Sequence, residues 1–227
     1  MSANASTMTE LTTVERRPGA IAAAAGRILD LTIAGLALIA LVPVIAVTVI
    51  AVRLSSPGPV LFRQRRLGRG MRPFTVLKFR TMRADADSAV HRDYVRSLIG
   101  NKPEPKKHGE LYKLVVDDRI TPVGRFLRSW SLDEVPQLWN VLRGEMSLVG
   151  PRPVIEYEVD QYPDWYLRRF AVKPGLTGLW QVSGRNERTY EEMIRFDVEY
   201  AERRSLWLDL RILARTALVV MRRQGVA

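Results

Sequence analysis

Along most of this chain apolar and polar residues alternate on short periods, but one stretch does not alternate at all. Leu31–Val52 runs twenty-two residues without a charge, long enough for a helix to cross the hydrocarbon core of a bilayer. Pro43 sits at its middle, where a proline removes a backbone hydrogen bond and breaks a helix. Both flanks are basic, with Arg16, Arg17 and Arg27 before it and Arg53 after it. Because positive flanks stay on the cytoplasmic side, the residues fit either a re-entrant helix-break-helix or a kinked spanning helix. Residues 1–26, rich in Ser, Thr and Ala, read as a mobile tail, and 27–53 as the membrane-embedded element.

Beyond it the periods change. Pro59–Leu67 and Arg72–Met82 read as strands flanking Gly68-Arg69-Gly70, which predicts a β-hairpin. Alternation places Lys78 and Arg80 on one face, as a phosphate clamp or simply as the wet side of a strand. Asp85–Lys113 reads as helix plus variable loop, and Thr121–Gly124 as a turn ahead of a helix. Leu206–Arg223 is a closing helix, with Arg211 and Arg215 on one face and Leu210, Leu213, Ala217 and Val220 on another. It fits a place on the core or in the membrane interface. The fold expected is therefore α/β: a helix-rich compact cytosolic domain over 54–227 with a small β-hairpin, plus the membrane element and interfacial helices.

Charge narrows the function classes. The formal net charge is +11, which calls for an anionic partner. Leu31–Ala84 contains no acid and many arginines, so this segment beside an apolar helix suits anionic membrane lipids. No zinc-finger, homeodomain or RNP pattern is present, which argues against nucleic acid. With no cysteine and only His91 and His108, thiolate chemistry and His-based triads are disfavoured. Carboxylates lead as nucleophile or base.

The sharpest chemical feature is Ser129–Asn140, SWSLDEVPQLWN. Ser131-Leu132-Asp133-Glu134 fits a capping box, in which Ser at N-cap and Glu three residues on satisfy orphan N–H groups. Pro136 spoils that reading, because it cannot donate within the helix such a box would start. Downstream, Arg152 is stiffened between Pro151 and Pro153, which suits a preorganised anion contact. The glycines of Lys173–Gly178 and Val182–Asn186 suggest a backbone cradle for phosphate, although turns alone also explain glycines.

Four blocks together, KFRTM (78–82), RSWSLDEVPQLWNVLRGEMSLVGPRP (128–153), KPGLTGLWQVSGRN (173–186) and FDVEYAERRSLWLDL (196–210), resemble the bacterial monotopic phosphoglycosyl transferases. The resemblance implies transfer of a sugar-1-phosphate from a UDP-sugar to undecaprenyl phosphate with release of UMP, the first membrane step of exopolysaccharide or related glycan synthesis. It implies Asp133 as nucleophile, forming a sugar-phosphoryl aspartate, and Glu134 as its partner, the two holding Mg²⁺. It implies substrate or phosphate contacts from Lys78, Arg128, Arg152, Arg185 and Asp197, beside the Arg80 noted above, and places Asp209 among the family acids. It implies a re-entrant helix broken at Pro43, here after Val42 where relatives commonly carry Ser. The cytoplasmic membrane, with the catalytic domain on its inner face and downstream glycosyltransferases as partners, follows from the same resemblance. UDP-glucose, UDP-galactose and N-acetylated donors all fit. The competing class is a membrane-tethered basic binding protein, which would release no UMP from a UDP-sugar.

Overall fold

The computed structural model describes residues 19–83, 119–184 and 189–222. The expectations for residues 1–18, for Asp85–Lys113 and for Arg185 lie outside the described residues.

The apolar stretch is two helices, α1 (Ala20–Ala40) and α2 (Val42–Ser55), joined at the single residue Leu41. Pro43 falls in the first turn of α2, where its missing N–H would have had no partner anyway. The break therefore sits two residues ahead of the proline. Helix α1 also starts earlier than the sequence pattern suggested: Ala20–Gly26, expected in a mobile tail, are helical, as an alanine-rich run favours. By length and composition α1 suffices to cross a membrane. Both helices expose large apolar side chains, among them Ile39 (72% exposed) and Leu54 (81%).

Two polar residues fasten α1 to the rest. Asp30, buried, accepts from Ser147 Oγ (2.9 and 3.0 Å) and from the Leu148 N–H (2.9 Å). One turn earlier, Arg27 donates to the carbonyls of Val141 and Leu142, both at 2.7 Å. Those carbonyls end a helix; the Val141 one also accepts from the Gly144 N–H at 2.9 Å, and the guanidinium completes the cap.

The hairpin forms as expected. β1 (Leu61–Leu67) pairs antiparallel with β2 (Pro73–Phe79), register Leu61↔Phe79 to Leu67↔Pro73, around a turn at Arg69–Met71. Gly70 takes φ 62° in that turn, a conformation open to glycine. α3 (Pro122–Ser129) follows with Thr121 as its N-cap, the hydroxyl accepting from the Gly124 N–H at 2.9 Å. Gly124 allows α3 to lie directly on the Thr81 backbone: a Cβ there would stand 2.0 Å from the Thr81 carbonyl oxygen.

α4 (Gln137–Arg143) lies along the open edge of β2, where Asn140 replaces a third strand. Its Oδ1 accepts from the Leu77 N–H and its Nδ2 donates to the Thr75 carbonyl. α4 ends at Gly144, φ 80°, a left-handed C-terminal cap. β3 (Ser147–Val149) and β4 (Gly175–Thr177) form a small parallel pair that the sequence did not announce. The glycines expected to cradle phosphate serve this packing: a Cβ on Gly175 would lie 2.0 Å from the Gly150 nitrogen.

Between β3 and β4 come the short α5 (Glu156–Val159) and a 3-10 segment, Asp164–Ala171. The chain closes with α6 (Tyr190–Arg203) and α7 (Leu206–Met221). On α7 the buried residues are Asp209 and Ile212, while Leu210 is exposed. The inward face is thus rotated from the Leu210–Leu213–Ala217–Val220 line, because the carboxylate of Asp209 accepts from buried Tyr200 Oη at 2.6 Å. A polar residue that finds a buried partner overrides the apolar pattern.

The main core gathers Ala34 of α1, Val76 of β2, Leu138 and Val141 of α4, Leu148 of β3 and Ile212 of α7. Replacing Asp30 by Ala would leave the Leu148 N–H and Ser147 Oγ buried and unpaired, at about 1–3 kcal/mol for each donor. Thermal unfolding should show the loss, with Asp30→Asn milder because an amide oxygen still accepts.

Candidate active site

The acidic pair sits on a bent connection between α3 and α4. After Trp130 the chain turns through Ser131, which has φ 56° and ψ 19°. A left-handed conformation at a non-glycine residue costs of order 1 kcal/mol and tends to mark functional positions. Leu132–Glu134 then form one 3-10 turn, and α4 begins only at Gln137 with Pro136 as its N-cap. The capping box at Ser131 does not form, since Ser131 makes no side-chain cap. Pro136 delays the helix, as its missing N–H required, so the two acids lie on a short turn ahead of it.

Lys78, from β2, places Nζ 2.6 Å from Glu134 Oε1. Arg128, on the last turn of α3, donates from Nε to Thr81 Oγ1 at 3.0 Å, which the close approach at Gly124 makes possible. Asp133 is buried. Burial pushes its carboxyl above the ordinary range, Lys78 pulls it down, the Glu134 charge pushes it up and Arg128 pulls it down. The pair is thus a desolvated acid beside a half-buried one, with two cations within electrostatic reach.

Arg152 is fixed from below. Its carbonyl accepts from Arg169 Nη2 at 2.9 Å, and the next carbonyl, of Pro153, accepts from Arg66 Nη1 at 2.7 Å. Arg169 is in turn bonded to Asp197 Oδ2 at 2.5 Å, both side chains 1% exposed. Asp197, expected from sequence among the substrate contacts, is buried here and neutralises the arginine that grips the Arg152 backbone. Burial pushes the Asp197 carboxyl up to about 7, against the pull of Arg169 and Arg152. Arg66 is pushed down to about 10 by burial and by Arg152, and it is influenced by Glu134 as well. Neither Arg66 nor Arg169 stands out in the sequence as a site residue, since each is the second of two consecutive arginines.

Arg80 is a correction. It lies past the end of β2, so the alternation that put it beside Lys78 no longer holds. Its Nη2 donates instead to the carbonyls of Ser56 (2.6 Å) and Val52 (3.3 Å) at the end of α2. The last carbonyls of α2, and the negative end of its dipole, draw the guanidinium there.

Two hard carboxylates on one turn suit Mg²⁺, an ion that commonly takes one or two protein carboxylates and fills its remaining positions with water and substrate phosphates. Among the described residues no cluster of three His, Cys, Asp or Glu that could hold a metal exists, so the acidic donors these residues offer a cation here are Asp133 and Glu134. The donor set fits.

The acidic pair thus lies among cations, on the turn between α3 and α4, whose Leu132 and Val135 pack with Phe79 of β2 and Val52 of α2. Comparison with known proteins narrows the class. The profile of the family "Bacterial sugar transferase" matches residues 21–223. The undecaprenyl-phosphate galactose phosphotransferase of Salmonella typhimurium is 45% identical over 169 residues, 74% of this chain and 34% of that protein. The UDP-glucose:undecaprenyl-phosphate glucose-1-phosphate transferase of Xanthomonas campestris is 42% identical, over 85% of this chain and 38% of its own length. The exopolysaccharide production protein ExoY of Sinorhizobium fredii is 42% identical over 88% of this chain and 86% of its own length. The chain belongs to the bacterial sugar transferase family. It spans little more than a third of the first two relatives and most of the third.

Truncating Asp197 to Ala would strand the Arg169 charge in the interior. Breaking a buried pair this way costs about 3–5 kcal/mol, which denaturant unfolding should register. Arg169→Met should cost less than Asp197→Ala if the remaining carboxyl takes up a proton, as its raised pKa permits.

Proposed function

We propose that this chain transfers a sugar-1-phosphate from a UDP-sugar to undecaprenyl phosphate, releasing UMP, through a sugar-phosphoryl aspartate on Asp133. The observation that carries the reading is the buried Asp133 beside a Lys78-bound Glu134, in a chain of a family whose relatives are named for this transfer.

The Asp133 carboxylate attacks the β-phosphorus of the donor. The bond from that phosphorus to the bridging oxygen breaks, and UMP leaves with the electron pair. In the second half, a phosphate oxygen of the lipid acceptor attacks the same phosphorus and frees Asp133. Lys78 and Arg128 offset the charge that gathers around the pair, and arginine matches phosphate oxygens with a planar fork. Arg152, its backbone fixed through its own carbonyl and that of Pro153, would offer a second guanidinium to the phosphate groups. Mg²⁺ on Asp133 and Glu134 would supply Lewis-acid neutralisation of the diphosphate. Burial of Asp133 shields the acyl phosphate from water. Exopolysaccharide assembly at the cytoplasmic face of the inner membrane is the setting, with α1 and α2 as a re-entrant pair. The exposed apolar side chains of α1 and α2, and basic Arg27 and Arg53 at their two ends, support that topology.

Radiolabelled UMP should exchange into UDP-sugar without any lipid acceptor, and acid-quenched enzyme should carry a sugar-phosphate on the peptide holding Asp133. Active enzyme that shows neither would remove the covalent step. Asp133→Asn should abolish turnover with the fold intact. The nucleophile must be ionised, so kcat/KM should rise with pH along a limb above the ordinary carboxylate range. The Glu134 charge contributes to that displacement, so residual activity of Glu134→Gln should have its limb at lower pH, and that of Lys78→Met at higher pH. Cysteine labelling on either side of residues 29–52 should find both ends cytoplasmic; a periplasmic N-terminal side would establish a spanning helix.

A further inference from the structure

A cleft of about 980 Å³ opens between the hairpin and the C-terminal half of α4, lined by Arg63, Arg69, Arg72, Trp139, Arg143 and Lys173 among others. Its size falls within the range of small-molecule sites. One acid, Glu145, shares this wall, and its oxygens are already engaged: Oε2 accepts from Asn140 Nδ2 at 2.7 Å and Oε1 lies 3.4 Å from Arg143 Nη2. Among the described residues, five basic side chains thus line the cleft with one committed carboxylate.

The cleft does not share the face of the acidic pair. Arg63 stands opposite Leu77 in the hairpin register, and both line the cleft. Lys78, the next residue, projects from the other face and meets Glu134. Asn140, 1% exposed, ties α4 to the strand edge between the two. Conditions inside the cleft are strained. Lys173 is pushed below the ordinary lysine range, first by burial and then by Arg27, with Arg204 and Arg69 adding to the push and Asp30 opposing it. Like charges gathered at this density are relieved by a bound anion, and arginine forks pair with phosphate oxygens in particular.

We propose that this cleft is a second phosphate site, separate from Asp133–Glu134, that takes a phosphate monoester. The ester is supplied either by a soluble nucleotide or by a lipid headgroup at the membrane surface. The site stands independently of the proposed transfer, since binding is read without turnover.

The test uses the full chain in detergent and two probes, UMP and dihexanoyl phosphatidic acid, with dihexanoyl phosphatidylcholine, a zwitterionic phosphodiester, as the net-neutral control. Arg72 and Arg143 are exposed, so Arg72→Glu/Arg143→Glu should fold normally. Arg195→Glu/Arg203→Glu on α6 changes the net charge equally, away from the cleft. Calorimetry should find one or both phosphate probes bound about tenfold more weakly by the cleft variant, as expected for lost charge-assisted hydrogen bonds, and unchanged by the α6 variant. Loss of UMP binding alone assigns a nucleotide, and loss of phosphatidic acid binding alone assigns a lipid headgroup. Equal affinity of the cleft and α6 variants for both probes would overturn the proposal, as would equal weakening in both variants.

Discussion

The architecture depends on a carboxylate in the wrong kind of helix. Asp30 lies one residue before a long uncharged run, where an unpaired charge would be expensive to bury. It is affordable because Ser147 and Leu148 donate to it, and because Arg27 takes the end of α4 in the same turn. Through these contacts the apolar helix α1 is tied to α4, the helix that follows the Asp133-Glu134 turn. The acidic pair is set by α4, α4 is set by α1, and β2 receives α4 through Asn140.

A second pattern recurs at the site. Backbone carbonyls that end helices or flank prolines are each met by an arginine: Arg27 on α4, Arg80 on α2, Arg66 and Arg169 around Arg152. The high positive charge is therefore not all surface. Part of it satisfies backbone acceptors at helix ends and beside prolines.

This division explains which parts were readable from sequence. The hairpin, the broken apolar helix, the closing helix and the Asp-Glu turn are local features, carried by alternation, prolines and spacing, and all formed. Arg80 and Asp197 are engaged in ways that local pattern does not encode, because each meets a partner far along the chain: Ser56 offers Arg80 its carbonyl, and Arg169 claims the Asp197 carboxylate. The parallel pairing of β3 with β4 was hidden because strands of three residues leave too short a period to see.

The junction at Leu41 has a consequence for how this element can vary in length. Because α1 and α2 are joined by a single residue, their rotational phases are coupled. α1 is keyed to the domain by Asp30, and α2 is keyed to it again by Arg80 at its far end. One residue added or removed between these two keys would turn the second about 100° relative to the first. Amino-acid identity within the apolar run is therefore loosely constrained, while its residue count is held like the tooth spacing of a gear.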